Sequence, residues 1–179
     1  ESGFKLIDER IEVELHKKCD FSPDEYLEVI QHKAVVNELC MQLGAIVGNG
    51  SEEEIQRLGD FGRIYGFNSI IIEEVVDLLD NGELTNRVKN ECLPLPLVYA
   101  FQNSEIKQQL SPLLELELTK KRQQIIADTA LKSKELLPLE KMLVINAEKG
   151  QKMIAPIERN IREELTNLLL VPLAYMEIS

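Results

Sequence analysis

The sequence has no tryptophan, and aromatic residues make up only 5% of its 179 positions. A β-sandwich normally draws its strands from aromatic and β-branched residues. Here Leu, Ile and Glu dominate, a mixture that favours helices. Cysteine is scarce too. Cys19, Cys40 and Cys92 are odd in number, far apart and contain no CxxC pair. That argues against a zinc site or a disulfide framework and suggests reduced thiols in a cytoplasmic protein. His16 and His32 are the only histidines, and neither has a metal-ligand partner at helical spacing. No apolar run approaches the ~20 residues of a membrane helix, and the start does not read as a signal peptide. Positive charge is in deficit, with a net charge of −11. Clustered Lys and Arg are what bind a phosphate backbone, so nucleic acid is a poor candidate ligand. Lys120, Lys121 and Arg122 read most simply as a solvated helix face. The chain begins at Glu1 rather than Met, as a processed or trimmed piece of a longer polypeptide would.

Apolar residues are 44% of the chain, enough for one substantial helical domain over 1–179. Phe4, Ile7, Ile11 and Leu15 repeat at helical spacing and predict a helix over 3–18. Ser22-Pro23-Asp24-Glu25 is a capping box with Pro at the first helical position, so a helix should run from there to about Val47, ended by Gly48-Asn49-Gly50. Ser51 and Glu54 form a second capping box, opening a long helix over about 52–80. Gly62 and Gly66, four apart within it, leave a strip where another helix or a ligand can come close. Residues 83–93 read as a loop or a short frayed helix. Further helices are expected after Pro94 and Pro96, at 104–110, from Pro112 to about Leu136, at 138–149, and at 153–171 with Pro172 as its stop. No period-2 alternation or internal repeat stands out, so the fold class is all-α, a helix bundle.

Two places could carry chemistry. On the 52–80 helix, Glu73, Asp77 and Asp80 share one face, at about 100° per residue, while Ile71, Ile72, Val75, Val76, Leu78 and Leu79 cover most of the remainder. A carboxylate row in apolar surroundings needs water, cations or metal. Mg²⁺ prefers such oxygens together with substrate phosphates. The plainer alternative is a narrow solvated edge. Lys33 is the second place, mid-pattern among Val29, Ile30, Ala34, Val35 and Val36. Facing inward it would need an anion, and a diphosphate would serve. The alternative is a surface lysine paired with Glu28 or Glu38.

These sites occur in a familiar order. Ser22-Pro23-Asp24-Glu25-Tyr26-Leu27 through His32-Lys33-Ala34 resembles the "s-x-e-e-Y-l-x-i-x-x-x-K-T" stretch of trans-type isoprenyl diphosphate synthases, the polyprenyl synthetases. Leu43-Gly44-Ala45 looks like the following "l-G-a". Leu58-Gly59-Asp60-Phe61-Gly62-Arg63-Ile64-Tyr65-Gly66 looks like "l-x-x-f-G-r-x-l-G". Glu73-Glu74-Val75-Val76-Asp77 falls where the second Asp-rich motif D-D-x-x-D belongs, and Leu95-Pro96-Leu97-Val98-Tyr99-Ala100 resembles "T-L-P-L-x-Y-A". The resemblance covers about 22–102, and 103–150 resembles the closing helices less specifically.

The resemblance implies the C-terminal half of a terpenoid synthase-type helix bundle, completed by an N-terminal half or a second subunit of the same fold. It implies condensation of an allylic diphosphate with isopentenyl diphosphate, assisted by Mg²⁺, in isoprenoid biosynthesis. Glu73, Glu74 and Asp77 would be metal ligands and Lys33 would hold the allylic diphosphate. A homo- or hetero-oligomer is expected, with the face of Val35, Val36, Leu39, Leu43 and Ile46 available for it. The departures from the family pattern are specific. Asp-Asp becomes Glu73-Glu74, Thr becomes Ala34, Phe-Gln becomes Ser69-Ile70, and the basic Gly-Lys segment is shortened, with Lys89 a loose substitute. No D-D-x-x-D occurs in the 179 residues. They support a second expectation: a catalytically degenerate prenyltransferase-fold subunit that supports an active partner.

Overall fold

The computed structural model describes residues 22–177; the helix expected at 3–18, His16 and Cys19 lie outside them. Among the described residues there is no strand, and the chain is all-α as expected. In chain order the helices are α1 (Pro23–Lys33), α2 (Val35–Val47), α3 (Glu52–Leu79), α4 (Asn81–Asn90), α5 (Leu95–Ala100), α6 (Ser104–Leu114), α7 (Lys120–Leu131), α8 (Leu137–Ile154) and α9 (Arg159–Glu177), with a 3₁₀ turn at Lys134–Leu136 before α8.

Both capping boxes form. The Ser22 hydroxyl and main-chain N–H donate to Glu25 Oε2 at 2.8 and 2.9 Å, and Ser51 does the same to Glu54 at 2.9 and 2.8 Å. These bonds, the backbone one foremost, hold the Glu25 and Glu54 carboxyls below the usual carboxylate range. Other boundaries differ from the sequence expectation. The expected single helix to Val47 is broken at Ala34, where the main chain leaves the α ladder for one turn. Asn37 N–H there donates to Ala34 O, an i→i+3 bond. Residues 81–90 are helical because the Asp80 side chain caps them, accepting from Glu83 N–H at 2.8 Å. Pro112 lies inside α6 rather than opening a helix. Its missing N–H and the short distance to the helix end at Leu114 fit the preference of Pro for terminating a ladder. The next helix starts at the Thr119 cap instead. Lys120 and Lys121 are exposed in its first turn, as expected, whereas Arg122, read with them, is partly buried and donates to Glu117 O. The last helix continues past position 172 to Glu177.

The chain divides into two compact units. One contains Glu73–Pro138 with the described residues up to Val29; the other contains Ile30–Ile72 and the described residues from Leu139 on. In the first unit, α7 packs against α4, α5 and α6. Leu78, Leu84, Leu97, Leu110 and Ile126 form its core, all fully buried. Gln123, buried on α7, donates to Leu78 O at 3.0 Å and also to Leu79 O, which satisfies the last carbonyls of α3.

In the second unit Phe61, Ile64, Ile154, Leu165 and Leu169 make the core. The glycine strip of α3 is filled by α2. A Cβ on Gly62 would lie 2.6 Å from Asn37 O, and one on Gly66 would lie 2.2 Å from Asn37 Nδ2. The smooth strip therefore serves helix–helix approach. Asn68, fully buried, fastens α3 to α8: its Nδ2 donates to Leu143 O at 3.1 Å and its Oδ1 accepts from Asn146 Nδ2 at 3.0 Å.

The glycines give a contrasting pair of substitutions. At Gly44, on exposed α2, a Cβ would meet nothing within 4 Å. Gly44→Ala should stabilise the protein by about 0.5–1 kcal/mol through helix propensity. Gly62→Ala should destabilise it by about 1–3 kcal/mol, because the main-chain oxygen it meets is fixed in a helix. Urea unfolding of both variants checks the opposite signs.

Candidate functional site

The acidic segment of α3 lies in the first unit, and helical geometry separates its carboxylates. Glu73 is exposed. Glu74, the next residue, points about 100° away and is buried, 6% exposed. Asp77 is partly buried. Asp80, which shares the sequence stripe, lies just beyond α3 and caps α4.

A buried carboxylate needs compensation, and Glu74 has it from several directions. Arg87 Nη2 donates to Glu74 Oε2 at 2.8 Å, and Arg87 Nη1 reaches Oε1 at 3.4 Å. The Tyr26 hydroxyl donates to Oε2 at 2.6 Å, and the Leu95 main-chain N–H donates to the same oxygen at 3.0 Å. Arg87 also donates from Nη1 to Asp77 Oδ2 at 2.7 Å and from Nε to Cys92 O at 2.9 Å. Its Nη2 is 2.5 Å from the Tyr26 oxygen. Cys92 Sγ, buried, lies 3.0 Å from that oxygen. One guanidinium thus joins α1, the end of α3, α4 and the turn into α5 within the first unit. Its fork satisfies two carboxylates and a carbonyl together, a geometry that lysine's single ammonium does not offer.

The electrostatics follow burial and pairing. Desolvation alone would lower the Arg87 pKa, but Glu74 chiefly, with Tyr26 and Cys92, outweighs it, so the guanidinium stays charged. The Tyr26 phenol is raised well above its ordinary range, first by burial and then by the Glu74 charge. Burial raises the Asp77 carboxyl, and Arg87 opposes that rise only in part.

The three carboxylates proposed from sequence as metal ligands are therefore one exposed group, one buried group with its oxygens committed to protein donors, and one bridged by an arginine. Among the described residues no group of three or more His, Cys, Asp or Glu side chains is placed to hold a metal ion. Lys33 is partly buried in the last turn of α1, where the helix carbonyls favour a cation, and it belongs to the second unit. Ala34 beside it is fully buried at the α1–α2 break. Arg87 was missed from sequence because residues 83–93 read as a loop or a short frayed helix, with no partner assigned to its charge. The signal available was Asp80 with Glu83, a helix start three residues long.

No family model matches the chain, and no solved structure gives a significant match. Curated proteins match over part of it. Geranylgeranyl pyrophosphate synthase 12, chloroplastic, of Arabidopsis thaliana is 41% identical over 61 residues, 33% of this chain and 17% of its own length. A short chain isoprenyl diphosphate synthase of Methanothermobacter thermautotrophicus is 31% identical over 74 residues, 41% of this chain and 23% of its own. Geranylgeranyl diphosphate synthase of Methanosarcina mazei is 24% identical over 84 residues, 46% of this chain and 26% of its own. The matched stretches thus span between a sixth and about a quarter of these relatives. The chain carries a segment similar to isoprenyl diphosphate synthases within an all-α fold.

Replacing Arg87 tests the arrangement. Arg87→Met keeps the volume but leaves Glu74 and Asp77 without their cation. Removing one partner of a buried ion pair costs about 3–5 kcal/mol. The loss should depend on pH in a defined direction. Asp77 is an acid whose folded pKa lies above its unfolded value even with Arg87 present. Without Arg87 the folded value rises further, so protonation on lowering the pH relieves the variant. Chemical denaturation should show a smaller deficit for Arg87→Met at pH 5 than at pH 7.5.

Proposed function

We propose that the chain is part of an isoprenyl diphosphate synthase-type transferase assembly, in which its own 73–77 motif is structural. In this reading the partner half, or a second subunit of the same fold, supplies the Mg²⁺ clamp. That part condenses an allylic diphosphate with isopentenyl diphosphate for isoprenoid biosynthesis. The observation that carries the proposal is the saturation of Glu74 by Arg87, Tyr26 and Leu95 N–H. A carboxylate engaged this way has to give up a buried ion pair before it can coordinate a metal. The partial likeness to named isoprenyl and geranylgeranyl diphosphate synthases supports the reaction class. The Glu-for-Asp change supports the structural role. Its extra methylene lengthens the reach from α3 to Arg87, and octahedral Mg²⁺ tolerates displaced oxygens poorly.

A second reading keeps the motif active, and Glu73 favours it, since that carboxylate is exposed. There Glu73 and Asp77 would meet Mg²⁺ and Lys33 would hold the allylic diphosphate. Calorimetric titration of the purified assembly with an allylic diphosphate, with and without Mg²⁺, separates the two. The structural reading predicts that Glu73→Ala leaves any Mg²⁺-dependent binding unchanged. A tenfold or greater weakening in Glu73→Ala would establish the second reading.

The assembly also needs a contact surface. On α2, Val36, Leu39, Leu43 and Ile46 repeat at three- and four-residue spacing and are 40–59% exposed. The single charged residue of α2, Glu38, pairs with Arg63. We assign this face to another subunit of the same fold, since a charge-free stripe lets acidic chains meet without repulsion. No helix among the described residues is long and apolar enough to cross a membrane. Light scattering at micromolar concentration should report an oligomer that Leu43→Glu with Ile46→Glu reduces to monomer. A monomeric parent chain would contradict the assignment.

A further inference from the structure

The second unit contains a groove of about 270 Å³ that the proposal above leaves unused. Its polar lining is Gln31, Arg63, Asn146 and Lys149. Ile64 and Phe67, both buried, and Met142 give it an apolar floor. The charge balance of this lining is unlike that of the chain. The sequence holds 31 acidic against 20 basic residues, yet the groove is lined by two cations and no carboxylate.

The donors are also held in place. Arg63 is tethered through Nε to Glu38 at 2.5 Å, which leaves its two Nη groups without an acceptor among the described residues. Asn146 is fixed by fully buried Asn68, itself bonded to Leu143 O, so the amide on the groove wall rests on a core hydrogen bond. Lys149 has no ion-pair partner among the described residues.

We propose that this groove binds a small organic phosphate with a short apolar body. The phosphate is taken by the Arg63 fork and Lys149, with Gln31 as a neutral donor, and the body lies on Phe67, Ile64 and Met142. A planar guanidinium with free Nη groups suits a phosphate's paired oxygens. Binding of this kind needs no metal, because the positive charge comes from the protein.

Butyl phosphate titrated into the full chain, followed by amide NMR shifts in EDTA at low and at physiological ionic strength, tests this. The expected result is one saturable site whose shifts centre on Gln31, Phe67 and Asn146. Affinity should fall at least tenfold in Arg63→Gln with Lys149→Gln, roughly the loss of one charge-assisted hydrogen bond. Inorganic phosphate should bind more weakly than butyl phosphate. Arg57→Gln, a cation elsewhere in the same unit, should change nothing, and nor should Glu73→Ala. The proposal is overturned by equal binding of the two phosphates, by equal weakening in Arg57→Gln, or by an absence of saturable binding. Arg63 and Lys149 are both exposed, so the variants should fold, and a thermal melt confirms it.

Discussion

The first unit is organised around one guanidinium between two carboxylates. Arg87 is buried, and burying a charge is among the costlier things a fold can do. The cost is offset because every side of the fork has an acceptor: Glu74, Asp77 and the Cys92 carbonyl. The positions of other elements follow from that requirement. Tyr26 has to bring α1 to Glu74. α4 has to start promptly after α3 so that Arg87, 13 residues beyond Glu74, can fold back on it. The Asp80 cap achieves that start. The turn at Cys92 and the N–H of Leu95 complete the coordination of Glu74 from the far side. An apolar replacement could hold the same elements together, but without the directional specificity of a forked donor.

The second unit has a different logic. Its helices approach through missing side chains, with Gly62 and Gly66 against Asn37, and through the Asn68 amide bond to a main-chain carbonyl. Both devices fix register, since a one-residue slip would drive a Cβ into Asn37 or leave Asn68 buried and unpaired. The unit leaves the apolar stripe of α2 exposed.

What could be read from sequence was local. The Ser22–Glu25 and Ser51–Glu54 boxes need only residues three apart, and both form. The 28-residue α3 follows from apolar spacing, and the glycine strip correctly announced a close approach. The misses were non-local. Nothing near Arg87 indicates that its partners lie on the preceding helix, and reading 83–93 as a loop or a short frayed helix hid it. The break at Ala34 is one irregular turn in a stretch with no Gly or Pro to mark it. The acidic stripe was read by angle alone, which grouped Glu73 with Asp77 and Asp80. The fold instead joins Glu74 with Asp77, because a basic residue from the next helix can reach both. The family pattern's Phe-Gln is replaced here by Ser69-Ile70, which removes an amide. A buried amide is present two residues earlier, as Asn68, serving α8.

The central claim is that Glu74 and Arg87 form a structural pair. A double-mutant cycle measures it most directly: unfolding free energies of Glu74→Met, Arg87→Met and the double variant. The account predicts that each single change is severe and that the double variant recovers much of the loss. That corresponds to a coupling of about 2 kcal/mol or more, since the second substitution removes the stranded charge left by the first. Additive losses, with coupling within about 0.5 kcal/mol of zero, would mean that the two side chains do not depend on each other, and the account would be wrong.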